Sequence, residues 1–153
     1  MTAWGKGRGR LGPLKPLLGN WMAESPAGAT GMDAVQCTRS FREFGSHWVE
    51  LDARWNMGSR GTYREIALIG PGEDGLVFHS FTNDGKRSVG HQVDAADVHQ
   101  QAFAFEAQMA AGTARMIYWP SGDGRGFNFA VESRTKAGWK RFLSQAYGPL
   151  EAE

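Results

Sequence analysis

The sequence contains one cysteine, Cys37, in 153 residues. A lone thiol cannot form a disulfide within the chain, so the fold has to rest on a packed core. Apolar residues also never follow one another for long enough to form a signal peptide or a membrane span. We therefore expect a cytoplasmic protein without a membrane-spanning segment, in which Cys37 is a buried, unreactive thiol.

A strong charge of one sign is missing too, because 17 basic residues are balanced by 16 acidic ones. Four of the basic residues precede the first acid, Glu24, in the sequence: Lys6, Arg8, Arg10 and Lys15. Most of them belong to a Gly/Arg-rich arm over residues 1–10, which we expect to be flexible. So few charges give little salt-dependent affinity for a polyanion, and we do not predict nucleic acid as a partner.

Recognisable catalytic and metal-binding spacings are absent as well. Gly5 to Gly9 lacks the preceding strand and following helix of a phosphate loop, and Asp84-Gly85 is a turn dipeptide without the spaced carboxylates of a calcium loop. His79 and His91 could begin a metal site with His47 as a third ligand, but their spacing matches no recognised metal motif. We predict no cofactor and no metal, and we favour a binding protein over an enzyme.

Glycine and aromatic side chains are abundant: the chain has 21 Gly, 9 Phe, 6 Trp and 3 Tyr. Turn signals such as Asn83-Asp84-Gly85 recur along it and separate segments of strand length. A long series of hairpins closes on itself, since closure removes exposed strand edges. We predict an all-β fold, an antiparallel up-and-down β-barrel of roughly eight to ten strands. It would form a single domain over residues 11–150, with a short N-terminal capping helix over Leu11 to Leu18.

The alternation of residue types predicts which side chains point into this barrel. From His47 to Trp55 the odd-numbered residues are mostly apolar and the even-numbered ones mostly charged, so the odd-numbered set is expected inside. The same argument predicts these further inward residues: Val77, His79, Phe81, Val89, His91, Val93, Phe103, Phe105, Phe127, Phe129 and Val131. Alanines between Ala95 and Ala111 favour a helix by propensity, but we prefer a strand through Ala102 to Met109.

Two short motifs frame the series of strands. Leu17-Leu18-Gly19-Asn20-Trp21 leads into the first strand, and Trp139-Lys140-Arg141 lies on the last one. With these motifs, residues 11–148 resemble the calycin superfamily of lipocalins, fatty-acid-binding proteins and nitrobindin-like barrels, and most of all small bacterial lipocalin-like barrels of unknown function. The resemblance implies that Trp21 lies inside the barrel base, with Lys140 or Arg141 packed over its ring.

The chain departs from two functional patterns of that superfamily. Nitrobindin-like proteins bind haem through a histidine near the C-terminus, whereas the last histidine here is His99. Fatty-acid-binding proteins hold a carboxylate with an Arg-x-Tyr pair on the last strand, whereas Arg141 and Tyr147 are farther apart than that. Neither haem nor a fatty-acid carboxylate site is therefore implied by the resemblance.

We predict that the barrel binds or carries a small hydrophobic molecule in an aromatic-lined cavity, where one or two polar groups orient it. The candidate ligand-binding residues are Trp55, His79, Phe81, His91, Phe103, Phe105, Phe127 and Phe129. One alternative is an isomerase- or cyclase-type enzyme with His79 or His91 as general acid or base. Another is a filled barrel that acts through protein partners, with surface aromatics such as Trp48 as the interface. A homodimer is also left open.

Two arginines offer a further hypothesis about the interior. Arg39 alternates with Cys37 and Phe41, and Arg115 alternates with Ile117, so either side chain could point inward and bind an anionic group. The alternative is that both extend outward to solvent or contact a tryptophan at the end of the barrel.

Overall fold

The computed structural model describes residues 4–24 and 36–150. Within these ranges ten strands form a closed antiparallel barrel, which confirms the predicted up-and-down fold. Neighbouring strands follow one another in chain order, and β1 closes the barrel by pairing with β10. The strands are β1 (Gly19–Glu24), β2 (Gln36–Phe44), β3 (Trp48–Asn56), β4 (Thr62–Gly72), β5 (Gly75–Thr82), β6 (Arg87–Asp94), β7 (Phe103–Met109), β8 (Gly112–Pro120), β9 (Phe127–Thr135) and β10 (Gly138–Pro149). None of the helices in the described ranges has the length and apolar character needed to cross a membrane.

A short 3₁₀ turn, Gly12–Leu17, stands where the capping helix was expected. Pro13 and Pro16 have no backbone N–H to donate, so a regular α-helix cannot form across this segment. The turn still closes one end of the barrel, because Leu14 and Leu17 are completely buried. We call this the closed end, and the end at which β3, β5, β7 and β9 finish the open end.

The chain before the 3₁₀ turn also contacts the closed end. Trp4 packs against Phe127 with ring centroids 6.4 Å apart, and its indole N–H donates to the carbonyl of Gln101 at 3.2 Å. Arg10 donates to the carbonyl of Gly72 at 2.6 Å. Residues 4–10 of the expected flexible arm therefore touch the barrel at two places, while residues 1–3 lie outside the described part.

Trp21 lies at the closed end, as the resemblance implied, but its neighbours differ from those expected. Its ring meets Phe127 edge to face at 5.1 Å, and its indole N–H donates to the carbonyl of Leu17 at 2.7 Å. Arg141 instead lies over Trp119 on the outer face at 5.2 Å, and Lys140 is exposed. The expected packing of a basic residue from β10 over Trp21 is wrong.

The predicted inner face of β3 is confirmed from Val49 onward. Val49, Leu51, Ala53 and Trp55 are buried, whereas His47 is exposed in the turn between β2 and β3. The preferred strand through Ala102 to Met109 is confirmed as β7. The aromatic pairs of β7 and β9 are buried as expected: Phe103, Phe105, Phe127 and Phe129.

The inner faces predicted for β5 and β6 are wrong by one residue. Leu76, Phe78 and Ser80 are buried on β5, and Gly90 is buried on β6. The following residues therefore face outward: Val77, His79, Phe81, Val89, His91 and Val93. The inner face of β6 carries a glycine because a Cβ at Gly90 would overlap the ring of Phe78. A bulky β5 residue thus fills the space that β6 leaves, and hydrophobicity alone could not reveal which face was inside.

The connection from β6 to β7 packs on the outside of the barrel. Ala95 is buried with Ala104 and Ile117 on the outer face of β7 and β8. Arg115, which faces this outer layer, donates to both carboxylate oxygens of Asp97 at 3.1 and 2.7 Å. It also donates to Glu132 at 2.9 Å through Nε. The inward hypothesis for Arg115 is wrong, and its side chain instead holds the connection against the strands.

Replacing Gly90 with Ala should destabilise the barrel by about 1–3 kcal/mol, because the new methyl group would displace the Phe78 ring from the core. Gly148→Ala is the matched control, since a Cβ there meets no atom within 4 Å. Chemical denaturation measures the free energy of unfolding of both variants. Equal stability of the two would contradict the proposed contact between β5 and β6.

Replacing Asp97 with Asn should lower the free energy of unfolding at neutral pH by no more than about 1 kcal/mol, because Asp97 is largely exposed. Hydrogen bonds from Arg115 hold the pKa of Asp97 below its ordinary value. The carboxylate therefore stabilises the fold above pH of about 4, and this contribution is lost as pH falls through the lowered pKa. Denaturation curves at several pH values should show the two proteins converging in acid. Asp74→Asn, in an exposed turn, is the control at neutral pH, where it should leave the free energy of unfolding unchanged.

Candidate functional site

The two halves of the barrel interior differ. The closed half is filled with stacked aromatic rings, among them Phe127 and Tyr147 at 5.0 Å between centroids. The open half contains a cavity of about 240 Å³, which we call the barrel cavity. It is lined by Arg39, Trp55, Tyr63, Glu65, Phe78, Ser80, Thr82, Lys86, Arg87, Ser88, Met109, Met116, Phe129, Val131 and Phe142. Most of its wall is apolar, and the charged and hydroxyl side chains lie on β2, β4, β5, the β5–β6 connection and the start of β6.

Arg39 lies on the inner face of β2, where it is only 2% exposed. Its place follows from the alternation of the strand, since Cys37 and Phe41 on either side are buried too. The guanidinium carbon lies 4.0 Å from the centroid of Phe129, and Nε donates to the hydroxyl of Tyr118 at 3.2 Å. Arg39 is thus a cation enclosed mainly by aromatic rings, and the inward hypothesis for it is correct.

Glu65 on β4 is the nearest carboxylate recorded for Arg39. One of its oxygens lies 3.8 Å from Nη2 of Arg39, which is an ion-pair distance but too long for a hydrogen bond. Its other carboxylate oxygen accepts a hydrogen bond from the hydroxyl of the buried Ser80. Glu65 is therefore anchored to β5 and only loosely paired with the arginine.

The protonation states of the buried groups leave Arg39 with little compensation. Burial raises the pKa of Tyr118, and burial raises the pKa of Tyr147 to about 12, so both phenols are neutral at pH 7. Burial by itself lowers the pKa of Arg39, but its interactions with Tyr118, Tyr147 and Glu65 raise it above the ordinary value. Arg39 therefore stays charged within this aromatic enclosure.

Two donors at the barrel cavity have no acceptor. Nη1 of Arg39 and the indole N–H of Trp55 are buried, and neither has a hydrogen-bond partner among the residues that the structure describes. The guanidinium carbon of Arg39 lies 5.5 Å from the Trp55 ring. A buried donor without a partner costs about 1–3 kcal/mol, so this pair favours an acceptor from outside the chain.

Further charges near the cavity are mostly positive. Lys86, in the β5–β6 connection, and Arg87, the first residue of β6, border the cavity at its open end. Lys86 also lies 3.8 Å from Asp84 in the preceding turn, where both side chains are exposed. Among the described residues, the interior lining thus contains two cationic side chains, Arg39 and Lys86, and one carboxylate, that of Glu65, while Arg87 borders the cavity from the outer face.

The eight candidate residues predicted from the sequence fall into three places. Trp55 and Phe129 line the barrel cavity. Phe103, Phe105 and Phe127 belong to the packed core instead. The remaining candidates, His79, Phe81 and His91, face outward and line an open depression of about 770 Å³ on β5–β7. The structure therefore brings only two of the eight together in the barrel cavity.

The charged residues of the cavity were the part that the sequence prediction largely missed. Arg39 was considered, but Glu65 and Ser80 were not. The signal for Glu65 is its position in β4, two residues before the buried Ala67 and four before the buried Ile69. A carboxylate on the same strand face as such residues is expected at the interior.

No group of three or more His, Cys, Asp or Glu side chains suited to a metal ion occurs in the part of the chain described here. The three histidines considered for a metal do not come together, because His47 lies in a turn at the closed end, whereas His79 and His91 are diagonal neighbours on the outer face of β5 and β6. The arrangement that the cavity does offer is a cation and an indole donor beside an apolar wall.

Comparison with family models, curated proteins and solved structures found no match to this chain.

Proposed function

We propose that the protein binds a small, mainly apolar molecule in the barrel cavity. The observation that carries this proposal is a pair of donors, Arg39 Nη1 and Trp55 Nε1, that have no partner among the described residues and lie on the wall of a largely apolar cavity. An apolar ligand body would gain free energy by leaving water, and an acceptor on the ligand would satisfy the donors. Such a combination gives both affinity and a fixed orientation.

The volume of the cavity limits the size of the ligand. At about 240 Å³ it exceeds the ~150 Å³ of an apolar cavity that accommodates benzene. It falls below the roughly 300–1,000 Å³ that is common for drug-sized ligands. We therefore propose a ligand with one or two rings or a medium-length alkyl chain, small enough to enter at the open end.

The alternative of an isomerase- or cyclase-type enzyme depended on His79 or His91 facing the interior. His79 and His91 are exposed on the outer face of the barrel, so they cannot act on a molecule held in its interior. Exposed aromatics such as Phe81 and Trp48 do leave the partner-binding hypothesis open. Binding in the cavity has the stronger support, because it alone accounts for buried donors that have no partner among the described residues.

A cytoplasmic location remains part of the proposal, and a buried free Cys37 is compatible with it.

The proposal can be tested by filling the cavity. Val131→Phe enlarges a half-buried side chain of the cavity wall, and it should reduce ligand binding at least tenfold while changing stability by less than about 1.5 kcal/mol. The probes are two matched sets: octanoate, octanamide and 1-octanol, and 2-naphthoate, 2-naphthamide and 2-naphthol. Isothermal titration calorimetry measures their affinities, and thermal unfolding checks the fold of the variant.

Val89→Phe provides the matched control, because Val89 is 47% exposed on the outer face. It should bind all probes as the parent protein does. Absence of saturable binding by any of the six probes, or equal weakening by both substitutions, would show that the cavity is not a binding site for molecules of this size.

A further inference from the structure

The charges around the barrel cavity distinguish between ligand classes. We propose that the ligand is an amphipathic monoanion whose carboxylate accepts hydrogen bonds from Arg39 Nη1 and Trp55 Nε1, while its apolar body occupies the space towards the open end. This inference rests on the proposed function and specifies the chemistry of the ligand head group.

The first support is the incomplete compensation of Arg39. Its guanidinium is almost fully buried, the carboxylate of Glu65 is 3.8 Å away, and the hydrogen bond that Nε donates ends on a neutral phenol. Hydrogen bonds between a guanidinium and a carboxylate are about twice as strong as neutral ones. A ligand carboxylate therefore gains more from Arg39 than a carbonyl or a hydroxyl of the same size.

The second support is the position of the indole donor. The Trp55 ring lies 5.5 Å from the guanidinium carbon, and both free N–H groups belong to residues of the cavity wall. A carboxylate has two oxygens with several lone pairs, so one head group can accept from both donors. An alcohol oxygen would satisfy both only by bringing its own hydrogen into a region already rich in donors.

The third support is the overall charge of the lining. Among the described residues, Arg39 and Lys86 share the lining with one carboxylate, that of Glu65, which leaves an excess of one positive charge. Arg87 borders the cavity too, but it pairs with Phe81 across the strands and therefore belongs to the outer face. Asp84 lies 3.8 Å from Lys86 at the open end, where both side chains are exposed and solvent screens their charges. A bound monoanion would therefore be compensated, whereas a bound cation would add to the existing excess.

Within each probe set, the carboxylate should bind at least tenfold more tightly than the amide or the alcohol. Trp55→Phe keeps an aromatic ring but removes the donor, so it should weaken carboxylate binding about tenfold. Trp119→Phe is the matched control, because Trp119 lies on the outer face, and it should leave the affinities unchanged. Calorimetric titrations at constant pH and salt measure each affinity.

Two further substitutions test the charge itself. Glu65→Gln removes the one negative charge of the cavity wall, and it should strengthen binding of octanoate severalfold without strengthening binding of 1-octanol. Arg39→Met should abolish the preference for the carboxylate. Since Arg39→Met alters a buried cluster, Glu65→Gln and Trp55→Phe keep the test decisive if that variant does not fold.

The outcomes separate this inference from the proposed function. Binding of amides and alcohols as tightly as carboxylates, with a loss on Val131→Phe, would overturn the monoanion and leave ligand binding in place. A complete lack of binding to all six probes would overturn both. Carboxylate binding that is unaffected by Trp55→Phe and Glu65→Gln would place the anion elsewhere on the protein and refute the proposed head-group site.

Discussion

The enclosure of the Arg39 cation within the barrel is the constraint on which the functional half of the structure depends. A buried guanidinium loses the stabilisation that water provides, and this loss has to be offset by hydrogen bonds, counter-charges or aromatic rings. The chain supplies the face of Phe129, one hydrogen bond to Tyr118 and a distant Glu65. These contacts hold the cation in one position but leave Nη1 without a partner in residues 4–24 and 36–150. The barrel thus contains a charged donor that is fixed in place and turned toward a cavity.

The barrel can hold such a group because its interior is divided between packing and cavity. At the closed end, Leu14, Leu17 and Phe127 are completely buried, so this half contributes apolar burial that stabilises the closed sheet. The β6–β7 connection adds a second apolar layer outside the strands, held by Arg115. With stability provided there, the open half can retain an unfilled space and a polar cluster. A uniformly packed interior would have left no room for a ligand.

The sequence was sufficient to predict the closed barrel, the strand β7 and the inner face of β3, because turn signals and regular alternation carry that information. It was insufficient on β5, where apolar residues occur on both faces, and on β6, where the valines lie outside and a glycine lies inside. Val77 and Phe81 resemble core residues by type, but they lie outside because Phe78 fits over Gly90. That fit is a cross-strand contact between specific shapes, and alternation along one strand cannot reveal it.

The same one-residue error in the inner faces of β5 and β6 placed His79 and His91 in the interior and led to a catalytic hypothesis. Arg39 was recognisable from its strand neighbours, but its pairing with Trp55 and Glu65 depends on three strands meeting in the closed barrel.

A role in binding explains the charged cluster better than a role in stability does. Replacing a buried ion pair with well-packed apolar residues is often neutral or stabilising, so a fold that needed only stability would gain little from Arg39. The pair with Glu65 is also longer than a hydrogen bond, and Glu65 is held by Ser80 instead of by the arginine. An arrangement selected for stability would bring the two charges into direct contact and satisfy Nη1. The observed arrangement leaves one face of the cation open beside an indole donor, and a site prepared for an incoming anion needs these two features.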